Sequence, residues 1–356
     1  MISLRELLED MMQQEASDLH LTAGLPPQYR VDGDILSSKF DVMSPDDTRA
    51  MAYSILNDDQ KKHFENDKEL DLSFGVQGMS RFRANVYLQR GVTSMAIRRI
   101  PYEIMTFESL GLPRVIGNFA KLHRGMFLVT GPTGSGKSTT LAAIVDWINE
   151  HRACHILTIE DPIEYVHNHK KSMVNQREIG ADSESFTKAL KYVLRQDPDV
   201  ILIGEMRDRE TIQAAITIAE TGHLCFATLH TNSTYESINR IIDVFPSTQQ
   251  PQVRAQLAFV LEGVMTQQLI PRLKTTGREL ACELMVCTPA VKALIRDDKV
   301  HQIYGLMQAG QKHGMQTMNQ ALYQGYINRK IAYEEAINRS PNHDELLKMI
   351  GEAVPA

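Results

Sequence analysis

Gly131-Pro132-Thr133-Gly134-Ser135-Gly136-Lys137-Ser138, followed by Thr139, is a complete G-x-x-x-x-G-K-[ST] stretch. The spacing predicts a loop that wraps backbone N–H groups around the α- and β-phosphates of a nucleotide. Lys137 would reach the β/γ oxygens, and the Ser138 hydroxyl would ligate Mg²⁺. The flanks give the loop its context. Residues 125–130 form a short apolar run of the kind a buried parallel strand requires. Residues 140–148 have helical propensity and apolar spacing, so a helix starting at the loop would aim its N-terminal dipole at the phosphates. Strand, loop and helix in that order set this stretch apart from a chance glycine turn.

The chain has 356 residues, enough for two domains and a sizeable core. With Lys+Arg 38 against Asp+Glu 44, the net charge of −6 gives no reason to expect a nucleic-acid-binding surface over the whole molecule. The first residues lack a basic segment followed by an apolar one, and no apolar run approaches membrane-spanning length. Cys154, Cys225, Cys282 and Cys287 have no C-x-x-C spacing and read as thiols in a reducing compartment. These features predict a soluble cytoplasmic protein.

Residues 1–100 read as a small α+β domain. An amphipathic helix is expected over 2–14, with Leu4, Leu7, Leu8, Met11 and Met12 on one stripe. Short strands follow around Pro26-Pro27, with Asp32-Gly33 as a hairpin signal. Ser44-Pro45-Asp46-Asp47 starts a helix expected to run to about Phe64. Alternating segments at 70–76, 81–89 and 92–99 complete the domain. Residues 101–113 read as a linker. From 114 to 356 the chain changes to strand–helix alternation, with strands at 126–130, 155–160, 199–204 and 223–229 and helices at 137–150, 183–196, 208–221 and 234–243. After about 250 the pattern is mostly helical, broken at Pro271 and Pro289.

Three further segments carry candidate chemistry. The run 155–159 ends in Glu160-Asp161-Pro162-Ile163-Glu164, which puts acids beyond the carboxyl end of a strand, where open α/β sheets bind ligands. Acids there, near a phosphate loop, can position or deprotonate an attacking water, and Pro162 leaves Glu164 on a turn; alone, the stretch would also suit a solvated acidic turn. Asp199-Val200-Ile201-Leu202-Ile203-Gly204-Glu205 is a buried strand ending in an acid, the pattern in which a carboxylate holds Mg²⁺ directly or through water. A third strand lies between His223 and His230. Because the two histidines stand at its opposite ends, a metal site is not expected, and His230 is the one placed to sense a γ-phosphate. Arg195, Arg207 and Arg209 lie near the Glu205 strand, and Arg81, Arg83, Arg98 and Arg99 cluster in the N-terminal domain. Phosphoryl transfer gains from such cations, although arginines on strand edges also deter sheet pairing.

The ordered set GPTGSGKST (131–139), TIEDPIEY (158–165), ILIGEMRD (201–208) and TGHLCFATLHTN (221–232) resembles the type II/IV secretion ATPases, where these stretches are called Walker A, Asp box, Walker B and His box. SRFRANVY (80–87) and the strands around it resemble that family's PAS-like domain, so the likeness covers nearly the whole chain. Three features point to its pilus-retraction branch. No additional domain is expected ahead of the PAS-like strands, and there is no tetracysteine insertion. In addition, residues 290–297 (AVKALIRD) partly match the branch's AIRNLIRE box, with Lys292 and Ala293 where the branch has Arg-Asn.

The resemblance implies an α/β, RecA-like P-loop ATPase domain with an N-terminal PAS-like α+β domain and a helical C-terminal region. It further implies a homohexameric ring, with ATP and Mg²⁺ as cofactors and arginines such as Arg81 and Arg83 supplied by a neighbour. Lys137 would hold the β/γ-phosphates, Ser138 and Glu205 the Mg²⁺. Glu164 would act as general base and His230 as the γ-phosphate contact, with either glutamate able to orient water. The implied partner is an inner-membrane pilus platform protein. Association with the inner face of the inner membrane would then be peripheral, with no nucleic acid bound. On this reading, hydrolysis would change the angle between the two domains about the 101–113 linker and drive pilus disassembly and twitching motility. A PilU-like accessory motor, a secretion or conjugation ATPase of the VirB11 class, a RecA-like DNA motor and a catalytically inactive nucleotide-binding subunit stay open at this point.

Overall fold

Leu4, Leu7, Leu8 and Met11 fall on one face of the Leu4–Gln13 helix and are buried, while the Ser3–Glu6 capping box closes its first turn. That helix opens the first of two compact units in the computed structural model, which describes residues 2–31, 33–100 and 103–353. The units comprise 1–103 with 164–166, and 104–163 with 167–356.

The first unit carries an antiparallel six-stranded sheet of β1 (Asp18–Leu21), β2 (Gln28–Val31), β3 (Asp34–Ser37), β4 (Glu69–Val76), β5 (Ser80–Gln89) and β6 (Val92–Ile100). The strand order is β3-β2-β1-β6-β5-β4. Val31 pairs with Asp34, so β2 and β3 form a hairpin; of its expected turn pair, Asp32 lies outside the described residues. Leu19, Phe82, Val86, Met95 and Ile97 fill the core beneath the sheet. One expectation is corrected here. The helix expected from Ser44 to Phe64 is two helices, Pro45–Ser54 and Asp58–Asp67. The break follows from Asn57, whose side chain accepts the Gln60 N–H while the Gln60 side chain accepts the Asn57 N–H, a second capping box that starts a new helix. Of the linker at 101–113, Pro101 and Tyr102 lie outside the described residues, and 103–113 contains no helix or strand.

The second unit is built on β7 (Gly125–Thr130), β8 (His155–Glu160), β9 (Met173–Glu178), β10 (Val200–Ile203), β11 (Leu224–Leu229), β12 (Leu261–Pro271) and β13 (Arg278–Val286). Their order is β13-β12-β7-β11-β10-β8-β9. All neighbours are parallel except the β12–β13 hairpin. Strand alternation divides the apolar residues between two faces. Met126, Leu128, Ile201, Ile203 and Ala227 join one cluster, and Phe127, Val129, Val200, Leu202 and Phe226 the other. Crossover helices therefore cover both sides, as a parallel sheet requires.

The expectation of a mostly helical chain after 250 is also corrected. The helix Gln250–Val260 runs directly into β12, and β12 and β13 extend the sheet before the helical region begins at Pro289. β9, on the opposite edge, was likewise not among the expected strands. From Pro289 onward the chain is helical to Ala353 apart from short connections. No helix among the described residues is long and apolar enough to cross a membrane.

Candidate nucleotide site

Because β7, β8, β10 and β11 are parallel, their carboxyl ends share one edge of the sheet, and the segments carrying Gly131, Asp161, Glu205 and His230 all begin there. The loop after β7 owes its shape to its glycines. Gly131 has φ 136°, and a Cβ on it would lie 2.5 Å from the Gln267 carbonyl oxygen on β12 and 2.6 Å from Ser135 Oγ. Gly134 and Gly136 also have positive φ, and Gly136 caps the Lys137–His151 helix. Lys137 Nζ donates to the Gly131 carbonyl at 2.9 Å and the Pro132 carbonyl at 3.0 Å, which folds the ammonium back over the loop. Pro132, Thr133 and Gly134 form the exposed crest; Ser135 is buried, and Ser138 and Thr139 are half-buried in the first helical turn. The loop's support is polar. Thr130 and Thr266 hydroxyls meet at 2.6 Å, and the buried Gln267 amide donates to Thr140 Oγ1 at 2.8 Å.

The segment after β10 passes close to β8. A Cβ on Gly204 would lie 3.2 Å from both the Glu160 Cα and the Ile159 carbonyl oxygen. Thr228 Oγ1 donates to the Gly204 carbonyl, and the Met206 N–H to the Thr228 carbonyl, so the turn that presents Glu205 is tied to β11. The Glu205 carboxylate is gripped on both oxygens, by Arg207 Nη2 at 2.8 Å and His230 Nε2 at 3.2 Å. Partial burial works against its charge, but the Arg207 hydrogen bond and the charges of His230 and Arg207 outweigh that and hold the carboxyl below the usual carboxylate value. The same pairing raises Arg207. Beside them, Glu160 Oε1 accepts from Thr158 Oγ1 at 2.6 Å and Gln176 Nε2 at 3.1 Å.

Glu205 and His230 are therefore in contact, and Lys137, Ser138 and the rest of the loop stand on the same sheet edge. Glu164 is exposed on the connection leaving β8 and groups with the first unit. Arg81 and Arg83 belong to the first unit as well, on β5, where Arg81 Nη2 donates to Ser73 Oγ at 2.8 Å and Arg83 is exposed. His223, at the amino end of β11, bonds Thr221 and the Ile218 carbonyl and lies away from this edge. Among the described residues no three His, Cys, Asp or Glu side chains cluster as metal ligands. One hydroxyl (Ser138) and one carboxylate (Glu205) make an all-oxygen donor pair, which suits Mg²⁺ completed by nucleotide oxygens and water. Sequence reasoning missed Gln267, since the strand carrying it was not expected. It also missed Thr228 as the tether of the Glu205 turn.

The model of the family described as Type II/IV secretion system protein matches residues 1–339. The chain is 48% identical over 339 residues to the type IV pilus retraction ATPase PilT of Pseudomonas aeruginosa, covering 94% of this chain and 98% of that one. It is 41% identical over 349 residues to the type IV pilus ATPase PilU of the same organism, covering 98% and 91%. A crystal structure of the pilus retraction motor PilT with bound ADP superposes with a TM-score of 0.92 at 48% identity, covering 98% of this chain and 100% of that one. The chain belongs to the type II/IV secretion ATPase family, and within it to the retraction type. Its fold is a RecA-like ATPase unit with an N-terminal α+β unit and a helical C-terminal region.

Proposed function

We propose that this chain hydrolyses ATP and uses the energy to power type IV pilus retraction, the disassembly that underlies twitching motility. The observation that carries the reading is the Glu205 carboxylate held between Arg207 and His230 on the sheet edge that also bears the 131–138 loop. In this reading Gly131 to Thr139 cradle the phosphates and Lys137 exchanges its loop carbonyls for the β/γ oxygens. A water oxygen bonds to the γ-phosphorus as the bond to the β–γ bridging oxygen breaks, giving ADP and phosphate, and Glu164 takes the proton of the water. His230 contacts the γ-phosphate and reports its loss to Glu205. Ser138 and Glu205 would hold Mg²⁺, which when bound would neutralise negative charge on the phosphates. Arg81 and Arg83 act in trans, from a neighbouring copy in a homohexameric ring. Motion about the 101–113 linker transmits the cycle to an inner-membrane platform protein, with the ring docked peripherally at the inner face of that membrane. The test is phosphate release by the purified chain. Turnover abolished by Lys137→Ala and unaffected by DNA supports the reading; turnover that survives Lys137→Ala, or DNA stimulation that falls steeply with salt, contradicts it.

A further inference from the structure

Glu283 lies in mid-strand on β13, 2% exposed. A carboxylate this deep requires compensating donors. It has three: Thr234 N–H at 2.7 Å and Thr234 Oγ1 at 2.8 Å on one oxygen, and Met318 N–H at 3.4 Å on the other. Thr234 and Met318 are the first residues of two helices, Thr234–Asp243 and Met318–Ile327, so the carboxylate receives the open N–H groups and positive dipole ends of both. Burial still pushes the carboxyl up from its usual value.

The sheet register gives this position its meaning. Glu283 pairs with Thr266, Thr266 with Thr130, and Thr130 with Leu229. One row across four strands therefore joins Glu283 to the residues immediately before Gly131 and His230. The chain leaving that row at His230 is pinned again four residues later, at Thr234. Between them, Thr231 Oγ1 meets Ser237 Oγ at 2.5 Å, and Ser233 Oγ caps the helix by accepting the Glu236 N–H. The segment 230–234 is thus held at the sheet on one side and by Glu283 on the other, with the His230 imidazole on Glu205 at the sheet side.

We propose that Glu283 is a positioning residue for ATP hydrolysis: it anchors the 230–234 segment so that His230 stays on Glu205, and it ties that segment to the Met318–Ile327 helix. The inference rests on the nucleotide-hydrolysing reading of the same edge. Two variants test it. Glu283→Gln keeps the shape and turns an N–H donor toward Met318, and Thr234→Val removes the hydroxyl donor alone. Each is measured alone and combined with His230→Ala. Both variants should lower kcat at least about tenfold with KM within about twofold, since misplacement of a positioned group is read in turnover. In the His230→Ala background the same changes should lower kcat less than about twofold, because the groups act as one unit. Equal losses in both backgrounds, or a lowered melting temperature with unchanged kcat, overturn the proposal. Hydrogen exchange reads the anchor without turnover. Exchange at amides 230–236 and 318–321 should speed up in folded Glu283→Gln while that of the 131–138 loop is unchanged, and unaltered exchange at those positions overturns the proposal. Absence of hydrolysis by the parent chain would instead count against the functional reading, leaving the exchange result to decide on Glu283.

Discussion

Replacing Gly131 by alanine tests the loop geometry directly. The added Cβ would meet the Gln267 carbonyl oxygen at 2.5 Å, against ordinary contact from 3.4 Å, so the loop must retreat from β12 by about 0.9 Å. Gln267 O belongs to a strand paired on both sides and cannot yield cheaply. A φ of 136° adds about 1–2 kcal/mol of strain for any residue with a Cβ, and overpacking adds about 1–3 kcal/mol. Taking about 3 kcal/mol, all of it borne by the phosphate-binding conformation, ATP affinity should fall about 150-fold. Gly134→Ala is the internal control. Its φ of 78° is also left-handed, but no atom lies within 4 Å of its added Cβ, so only the dihedral strain remains and the loss should be about 5- to 30-fold. The assay is calorimetric titration with a non-hydrolysable ATP analogue on both variants, with melting curves establishing that each is folded. If Gly131→Ala binds within about threefold of the parent chain, or more tightly than Gly134→Ala, the reasoning from close approach is wrong.

Three other perturbations have defined outcomes. Asn149, fully buried, accepts the Lys170 N–H at 3.0 Å and donates to the Asn168 carbonyl at 2.7 Å. Asn149→Ala leaves both groups unpaired at a place half-open to water, so denaturant titration should give a loss of about 2 kcal/mol. Burial holds His167 neutral, down from 6.5 to about 4; Asp146 raises it and Lys170 lowers it. The unfolded chain therefore binds a proton that the folded chain refuses, and stability should decline as pH falls from 6.5 to about 4, by about 3 kcal/mol in all. His167→Gln should flatten that part of the stability–pH curve, and an unchanged slope would refute the assignment. Glu205→Gln keeps the side chain's shape but removes its charge from between Arg207 and His230; kcat should drop at least about a hundredfold while analogue affinity changes less than about threefold.

Much of the second unit was legible because its signals are local. The 131–138 loop, the apolar runs of β8, β10 and β11, the acids that follow the first two and the histidine that follows the third all lie within short stretches of sequence. β12 was hidden because it is buried on both faces and so shows no alternation, carries Glu262, Gln267 and Gln268, and follows a helix with no glycine or proline between. β9 was hidden for the opposite reason, as a largely polar edge strand. The capping box at Asn57 was readable in principle, since Asn three residues ahead of Gln is its signature. Glu283 was not readable. Its donors at Thr234 and Met318 are 49 and 35 residues away in sequence, and only the register of four strands brings it level with the loop. Likewise, the contact of Glu205 with His230 depends on β10 and β11 being neighbours, a pairing no local pattern specifies.

If this chain drives retraction through ATP hydrolysis at Lys137 and Glu205, the shortening of pili in the cell depends on Lys137. The most direct measurement is the length of fluorescently labelled pili followed over time in source cells lacking the chain, with the parent or the Lys137→Ala form restored. The deletion strain should carry surplus pili that extend and fail to shorten, the parent chain should restore retraction, and Lys137→Ala should restore none. Loss of pili on deletion, or full retraction with Lys137→Ala as the sole copy, would contradict it.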